Sequence, residues 1–590
     1  MVVKMKNKVG EIRPGQLITT FGPGAIIDSV NDSLMILDIL YWDKAKDIIY
    51  DKNLANFLGK HYFKKVPATG EKADLPVIPF PFYHECSNTK CRQLFDIRDN
   101  FSGSDYCEKI REYLEKGPRC PSCNWKAHPA RFVLSCEDNH LEDFPWKWWA
   151  HGKKHKECNG RLILSSAGDS SGLESLSVKC ECMESGKSLR GALDPKSFKG
   201  YKCRGSHPHK LEFNGECGKD VIPLQRGASN VYFAAIRSAI SFSNDSHIKE
   251  LLIKHQNALI QWEQKRGENG LKDYYEVNFE GKVFKDFNHF YNEWIRFKGN
   301  KSGEKLNYKQ IKEFEYEKFT GFKDKIKIPK ENPEFEAEVQ PVPIELQRYF
   351  SKIIKVHRLK EIMVLLGFMR NESPEPEVEN PKEIVWLESG TEEKWLPAVE
   401  TFGEGIFIEF NRETVNSWLQ SVEDKSKKFS AVYDRWIEKK GWTKLEDRNA
   451  LYVMMHTLSH LLIKQLSLKS GYSSVAIKER IYCSETMAGI LLYTGSADQE
   501  GTLGGLVEMG SIDKFREILD EALEEAMFCT NDPVCSNLEV DEENDLNGSA
   551  CFACSMISET SCEVGNRLLD RSLVVPLQDS MIKPYFDGLI

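Results

Sequence analysis

The chain of 590 residues lacks long hydrophobic runs. The apolar run at residues 362–369 is much shorter than the roughly 18 residues that a membrane-spanning helix needs. Residues 1–9 have neither an apolar core nor a cleavage site, so the sequence predicts no signal peptide. We therefore expect a cytoplasmic protein without a membrane partner. In that reducing compartment, clustered cysteines indicate metal binding rather than disulfides.

The sequence also lacks the motifs that identify common enzymes of nucleotides and nucleic acids. The glycine-containing segments 21–24 and 493–506 have no Walker lysine, so both are interpreted as turns. There is no paired-carboxylate nuclease signature and no intact catalytic triad. Ser170 lies in a G-x-S-x-G pattern, but cysteine knuckles surround it instead of a hydrolase sheet. These absences favour a chain that is not an enzyme.

An enzyme with an active site that the sequence does not reveal is the alternative hypothesis. His456 and His460 have the spacing of the H-E-x-x-H zinc proteases, but Thr457 stands where that motif has its glutamate. His456, His460 and Asp498 are the candidate residues of this alternative, a nuclease or hydrolase that acts on nucleic acid.

The composition indicates a globular chain with a local rather than a general affinity for nucleic acid. Hydrophobic residues make up 41% and charged residues 29%, and the net charge is −9. We predict an α+β, multidomain protein with zinc-ribbon-like modules in its N-terminal half and a mixed helical and strand zinc-binding domain at its C-terminus. The predicted parts are a β-rich domain at 1–80, tandem zinc modules at 81–222, a mainly helical region at 223–400 with a linker near 371–383, and the C-terminal domain at 401–590.

The N-terminal half begins with a clear metal-binding pattern. Cys86 and Cys91 form one knuckle, and Cys120 and Cys123 form a second. Four thiolates close a tetrahedral shell around zinc and leave no open position, which is typical of structural sites. Cys107, between the two knuckles, is not needed as a ligand.

Two further sites are predicted before residue 222. One is a mixed site of Cys136, His140 and Cys158, completed by His151 or His155, between which the spacing does not decide. The other consists of Cys180, Cys182, Cys203 and Cys217.

The C-terminal region combines two helices with a fourth metal pattern. Apolar residues recur at helical spacing over residues 451–468, and a second helix is predicted over 511–528. Two knuckles follow, and their ligands are Cys529, Cys535, Cys551 and Cys554, with Cys562 as a fifth candidate. In total, we expect about three to four structural zinc ions.

Other segments carry weaker signals. A helix is predicted over Glu345–Met369, and helices over residues 412–419 and 425–439. Alternation at Ile406, Ile408 and Phe410 predicts a strand. Arg226 and Asn230 are predicted to contact nucleic acid, since they lie at a loop suited to hold a phosphate; a partner carboxylate or a helix cap is the alternative. The lysines of 282–330 form a second basic patch.

Several motifs resemble known families. Residues 456–571 resemble the MrfA-like zinc-binding domain, which ends certain DNA-repair helicases and also occurs without a helicase. The matching motifs are the four terminal cysteines with His456–His460, Gly471–Ser474, Glu479–Arg480, Tyr493–Asp498, Glu500–Gly505 and Leu569–Arg571. Most of the chain resembles the DrmB family of the DISARM antiphage defence system, through Arg13–Asp28, Gln225–Phe233 and Gly403–Phe407.

The resemblance implies a function that the residues alone do not establish. It implies a subunit that associates with a separate helicase, DrmA, which carries the ATPase motifs, and with other defence subunits. It also implies a DNA-bound complex that recognises phage DNA beside a methylase that marks self DNA. The expected protein is a non-catalytic zinc-binding partner of that helicase.

Overall fold

The computed structural model describes residues 12–28, 32–42, 47–66, 75–100, 116–152, 158–166, 172–213, 215–242, 245–281, 283–299, 306–322, 335–374, 383–387, 395–444, 448–495, 505–578 and 580–589. Its helices are α1 (Pro14–Thr19), α2 (Lys52–Leu58), α3 (Trp146–His151), α4 (Asp245–Asn278), α5 (Phe287–Gly299), α6 (Tyr308–Thr320), α7 (Arg412–Ser421), α8 (Glu423–Lys440), α9 (Ala450–Ser470), α10 (Gly505–Glu508) and α11 (Ile512–Ala526).

The strands up to residue 225 are β1 (Ile26–Asp28), β2 (Ser33–Ile36), β3 (Ile48–Ile49), β4 (Phe63–Lys65), β5 (Val77–Pro79), β6 (Tyr83–Cys86), β7 (Gln93–Asp96), β8 (Ala127–Pro129), β9 (Phe132–Ser135), β10 (Leu141–Asp143), β11 (Leu162–Ser166), β12 (Leu176–Cys180), β13 (Lys187–Ser188) and β14 (Ile222–Gln225). The later strands are β15 (Phe233–Ser241), β16 (Glu336–Gln340), β17 (Phe350–Met369), β18 (Val385–Trp386), β19 (Pro397–Phe410), β20 (Ile477–Cys483) and β21 (Ala488–Thr494).

A nine-stranded sheet lies at the centre of the described structure. Its main path has the order β15, β17, β19, β21 and β20, and each neighbouring pair is antiparallel. β4 adds a parallel pairing to β19. Most residues of β17, β19 and β21 are buried, as expected for apolar strands covered on both faces.

The helix predicted over Glu345–Met369 is wrong. Residues Ile344–Leu346 form a short 3-10 turn, and the rest becomes the 20-residue strand β17. Because both faces of this strand are buried over residues 359–369, its apolar side chains do not alternate with polar ones. A continuous apolar run of this kind does not distinguish a buried strand from a buried helix.

Other predicted elements are confirmed. The helices predicted over 412–419, 425–439, 451–468 and 511–528 correspond to α7, α8, α9 and α11. The strand predicted from Ile406, Ile408 and Phe410 is the second half of β19. The α+β fold class is confirmed as well.

The predicted turn at residues 21–24 is confirmed and serves packing. Gly24 has a φ of +85°, which strongly favours glycine. A Cβ at Gly24 would also lie 2.6 Å from the ring of Phe368 in β17. The turn therefore joins the N-terminal segment closely to the central sheet.

Helix α9 forms the core of the C-terminal part. Asn449 caps its first turn, since its side-chain oxygen accepts from the backbone N–H groups of Leu451 and Tyr452 at 3.0 and 3.2 Å. Residues 450–463 are all buried, and the helix packs on α11 and β20. A helix that is buried on every side is a core helix.

Strand β19 of the central sheet runs from residue 397 to residue 410, across the predicted boundary at residues 400 and 401, and β4 of the first predicted part pairs with it. The division into four domains stays a prediction. Three smaller sheets cover the N-terminal part, in the orders β1-β2-β5, β10-β9-β14 and β13-β12-β11-β7-β6-β8. Among the described residues, no helix has the length and hydrophobicity that crossing a membrane requires.

Candidate metal centres

The first cysteine cluster joins two knuckles at the ends of strands. Cys86 ends β6, Cys91 follows in the next turn, and Cys120 and Cys123 precede β8. The sulfur atoms of Cys86 and Cys123 lie 3.5 Å apart, and those of Cys91 and Cys120 lie 3.7 Å apart. Four thiolates at a zinc–sulfur distance of about 2.3 Å would be about 3.8 Å from one another. The cluster therefore has the size of a zinc shell.

Each knuckle of this cluster is followed by a residue whose backbone is in the left-handed region. Arg92 has a φ of 47° directly after Cys91, and Asn124 has a φ of 55° directly after Cys123. This uncommon backbone turns the chain sharply after the second cysteine of each pair. The local sequence thus places both thiols of a knuckle on the same side.

The grouping predicted for the next two sites is wrong. The structure brings Cys136 and His140 together with Cys203 and Cys217, and brings His151 together with Cys158, Cys180 and Cys182. His151 thus completes the second of these groups, while His155 lies outside the described residues. All the other predicted ligands lie in these two clusters. However, Cys203 and Cys217 join Cys136 and His140, whereas Cys158 joins Cys180 and Cys182.

Strand pairing explains the exchange. β9 lies between β10 and β14, so Cys136 after β9 comes close to Cys217 before β14, with sulfur atoms 3.9 Å apart. β11 pairs with β12 in a register that places Leu162 opposite Cys180. Cys158 therefore lies 3.5 Å from Cys180, sulfur to sulfur.

The terminal cluster consists of the four cysteines expected from the sequence. The sulfur atoms of Cys529 and Cys551 are 3.5 Å apart, and those of Cys535 and Cys554 are 3.7 Å apart. The buried Arg571 braces this cluster, since its guanidinium donates to the Cys535 sulfur at 3.6 Å and to Asp532 Oδ1 at 2.9 Å.

Hydrogen bonds between thiols favour the thiolate form in two clusters. The hydrogen bond from Cys203 is the main cause that lowers the pKa of Cys136, and the one from Cys535 is the main cause that lowers the pKa of Cys554. The thiolate is the form that binds metal, so the donor chemistry fits zinc. Two clusters offer four sulfur atoms and two offer three sulfur atoms with one imidazole nitrogen, both common zinc sets.

A fifth group contains His456, His460, Glu479 and Cys562. Cys562 therefore does not belong to the terminal four-cysteine cluster. Sequence reasoning did not identify Glu479 as a ligand, because it lies on β20, in a different element from the two histidines and from Cys562. No local spacing signal marks it.

Arg226 is held by contacts within the chain. Its Nε donates to Asp28 Oδ1 at 2.9 Å, and its Nη1 donates to the carbonyl oxygens of Pro129 and Ala130 at 2.5 and 2.9 Å. The backbone carbonyl of Asn230 accepts from the N–H of Asn371 at 2.8 Å. Through these contacts, Arg226 acts as a brace, that is, a side chain that joins separate segments of the chain. The contact of Arg226 and Asn230 with nucleic acid stays a prediction.

Some candidates from the sequence lie outside the described residues: Cys107, His155, Ser170 and Asp498, with part of the 282–330 patch. His456 and His460 are described and fully buried.

Comparison with known proteins places the chain in a family. Residues 13–233 match the model of a domain of unknown function, DUF8724, and residues 458–555 match the MrfA Zn-binding domain. The second match contains the terminal four-cysteine cluster and indicates zinc as its metal. A DISARM protein DrmB from Bacillus paralicheniformis is 56% identical over 574 residues, which cover 96% of this chain and 100% of the relative. The chain therefore belongs to the DrmB family of the DISARM system.

Proposed function

We propose that the chain is a non-catalytic, zinc-stabilised subunit of a DISARM complex, which associates with a helicase and helps it to hold foreign DNA. The main observation behind this proposal is that protein side chains can fill every ligand position of the metal centres. Each of the four cysteine-rich clusters supplies four protein ligands. A shell with four protein ligands leaves no position for water or substrate, which is typical of structural rather than catalytic zinc.

The proposed partner surface surrounds the terminal cluster. Phe528, Val534 and Phe552 have exposed fractions of 75%, 72% and 85%. Each is next in sequence to a cysteine of the same cluster, so the three residues lie near one candidate metal site. We call these three residues the apolar knuckle. Exposed apolar groups of this kind mark protein interaction sites, and the helicase subunit is the partner that we assign to them.

The DNA contact is proposed for the assembled complex rather than for the isolated chain. Non-specific affinity grows with the number of phosphates that a protein neutralises, and the chain has a net charge of −9. We therefore expect weak DNA binding by the chain alone and tighter, salt-dependent binding once the helicase subunit is added.

One set of measurements tests the proposal. The purified chain is assayed for DNA binding by fluorescence anisotropy, with and without the helicase subunit, and for nucleotide hydrolysis and DNA cleavage. We expect weak binding alone, a gain on assembly and no hydrolysis or cleavage by the chain. Tight DNA binding by the chain alone would contradict a DNA site that needs the helicase subunit. DNA cleavage that persists after further purification of the chain would favour the alternative that the chain is an enzyme.

A further inference from the structure

The fifth group of metal-binding side chains lies in the C-terminal core, separate from the four cysteine-rich clusters. Helix α9 places His456 and His460 one turn apart on the same face, β20 supplies Glu479, and the irregular segment after residue 555 supplies Cys562. The two histidines and the glutamate are completely buried. One candidate ligand atom from each residue lies within 4.8 Å of the other three.

We propose that this group is a fifth zinc site, with two histidines, one glutamate and one cysteine as its ligands. His456 Nε2 lies 3.2 Å from Cys562 Sγ and 3.0 Å from Glu479 Oε1, and His460 Nε2 lies 3.4 Å from the same oxygen. In a tetrahedral zinc shell, two nitrogen or oxygen ligands are about 3.3 Å apart, and nitrogen and sulfur about 3.6 Å. The observed separations are close to these lengths.

The outer nitrogens of both rings show which atoms face the site. His456 Nδ1 is 3.3 Å from the carbonyl oxygen of Leu568, and His460 Nδ1 is 2.9 Å from that of Ser555. A carbonyl only accepts, so each Nδ1 carries a hydrogen, and in the neutral imidazole that binds metal each Nε2 then directs a lone pair into the group. Such hydrogen bonds are the usual way in which proteins orient metal-binding imidazoles.

A metal cation at the centre of the group would satisfy the inner atoms of all four side chains. The lone pairs of two imidazoles converge with a carboxylate and a cysteine sulfur in the buried core. His460 Nε2 is buried, and apart from the 3.4 Å contact with Glu479 Oε1 it has no hydrogen-bond partner. Buried polar atoms are usually satisfied, and a metal ion bound to this nitrogen would satisfy it.

The other two ligands are oriented as well. The backbone N–H of Glu563 donates to Glu479 Oε1 at 3.0 Å, and the hydroxyl of Ser459 donates to Oε2. The N–H of Asn566 donates to Cys562 Sγ at 3.2 Å. Every ligand thus has a hydrogen bond from outside the shell, which is the arrangement of a built metal site.

The burial and the closed ligand set assign a structural role to this zinc ion. It joins α9, β20 and the segment at 555–568, whereas the terminal cluster joins only segments between 529 and 554. Four protein ligands leave no position for a substrate, so the site is not a protease-like centre.

X-ray absorption at the zinc edge of the full chain, purified without chelator, tests the site without any substitution. With all five groups filled, the ligands are fifteen sulfur atoms and five nitrogen or oxygen atoms, so nitrogen and oxygen make up one quarter of the ligand atoms. Without the fifth site, the ligands are fourteen sulfur atoms and two nitrogen atoms, and the nitrogen fraction is one eighth. A share near one quarter supports the proposal, and one near one eighth overturns it.

A substitution gives an independent readout by elemental analysis. In His460→Asn, the amide can still donate to the Ser555 carbonyl, but the inward nitrogen is lost. We expect one zinc equivalent less than in the unsubstituted chain. His357→Asn is the matched control, because His357 pairs with Glu338 and belongs to none of the five groups. An unchanged zinc content in a folded His460→Asn variant would overturn the site. Should the variant fail to fold, the absorption measurement decides.

Discussion

His460 and Ser555 connect two metal-binding groups of the C-terminal core. Nδ1 of His460 donates to the carbonyl oxygen of Ser555 at 2.9 Å, and Ser555 directly follows Cys554 of the terminal cluster. Lys464, one turn later on α9, donates to the carbonyl oxygen of Cys554 at 2.7 Å. The helix therefore contacts the backbone of the terminal cluster and supplies ligands to the fifth group.

The exchanged grouping in the N-terminal half predicts the zinc content of double variants. We expect that Cys136→Ser with Cys203→Ser removes one zinc equivalent, because both thiols belong to one cluster. Cys180→Ser with Cys203→Ser should remove two, because these thiols belong to different clusters. Elemental analysis of both proteins checks this, and the opposite result, two and then one, would restore the grouping by sequence order.

Loss of a terminal ligand is expected to unfold the region after residue 528. Cys551 lies 3.5 Å from Cys529 and 3.8 Å from Cys554, sulfur to sulfur, so Cys551→Ser opens the shell. A structural zinc contributes about 10 kcal/mol or more to such a site. Limited proteolysis should then cleave after residue 528.

Cys483→Ser is the control for this experiment. Cys483 is buried at the end of β20 and belongs to none of the five groups. We expect its proteolytic pattern to match that of the unsubstituted chain. Equal patterns for the two variants would contradict the terminal ligand assignment.

Arg226→Ala distinguishes a brace from a DNA contact. The variant loses the pairing with Asp28 and two hydrogen bonds to backbone carbonyls, so we expect a lower Tm and a cost of about 1–3 kcal/mol. If Arg226 also contacts a phosphate, the salt slope of DNA binding by the complex should fall by about one. Thermal unfolding and anisotropy at several salt concentrations measure the two effects separately. An unchanged Tm would mean that the brace contributes nothing.

The apolar knuckle predicts a partner defect without a folding defect. Phe552 is 85% exposed, so Phe552→Ser should leave the Tm and the zinc content unchanged. We expect copurification with the helicase subunit to weaken by about tenfold or more, because exposed aromatic anchors dominate many interfaces.

Ile344→Ser is the matched control, since Ile344 is also 85% exposed but lies in a short turn before β17. We expect it to retain the helicase subunit. Equal retention by both variants would place the partner surface elsewhere.

The sequence alone determined the clusters whose ligands are close in the chain. Cys86 with Cys91, and Cys120 with Cys123, are each separated by a single turn, so each pair forms a knuckle whatever surrounds it. The terminal cluster and the buried helix α9 were predictable for the same reason, because spacing along a turn or a helix is a local property.

Only the tertiary structure decided how distant ligands combine. Cys136 meets Cys217 because β9 pairs with β14, and Glu479 meets His456 because β20 packs on α9. The same applies to β17, where burial on both faces came from neighbouring strands and helices and no local pattern revealed it. Such contacts join residues that are far apart in the chain, and their choice depends on the packing of the whole sheet rather than on any local preference.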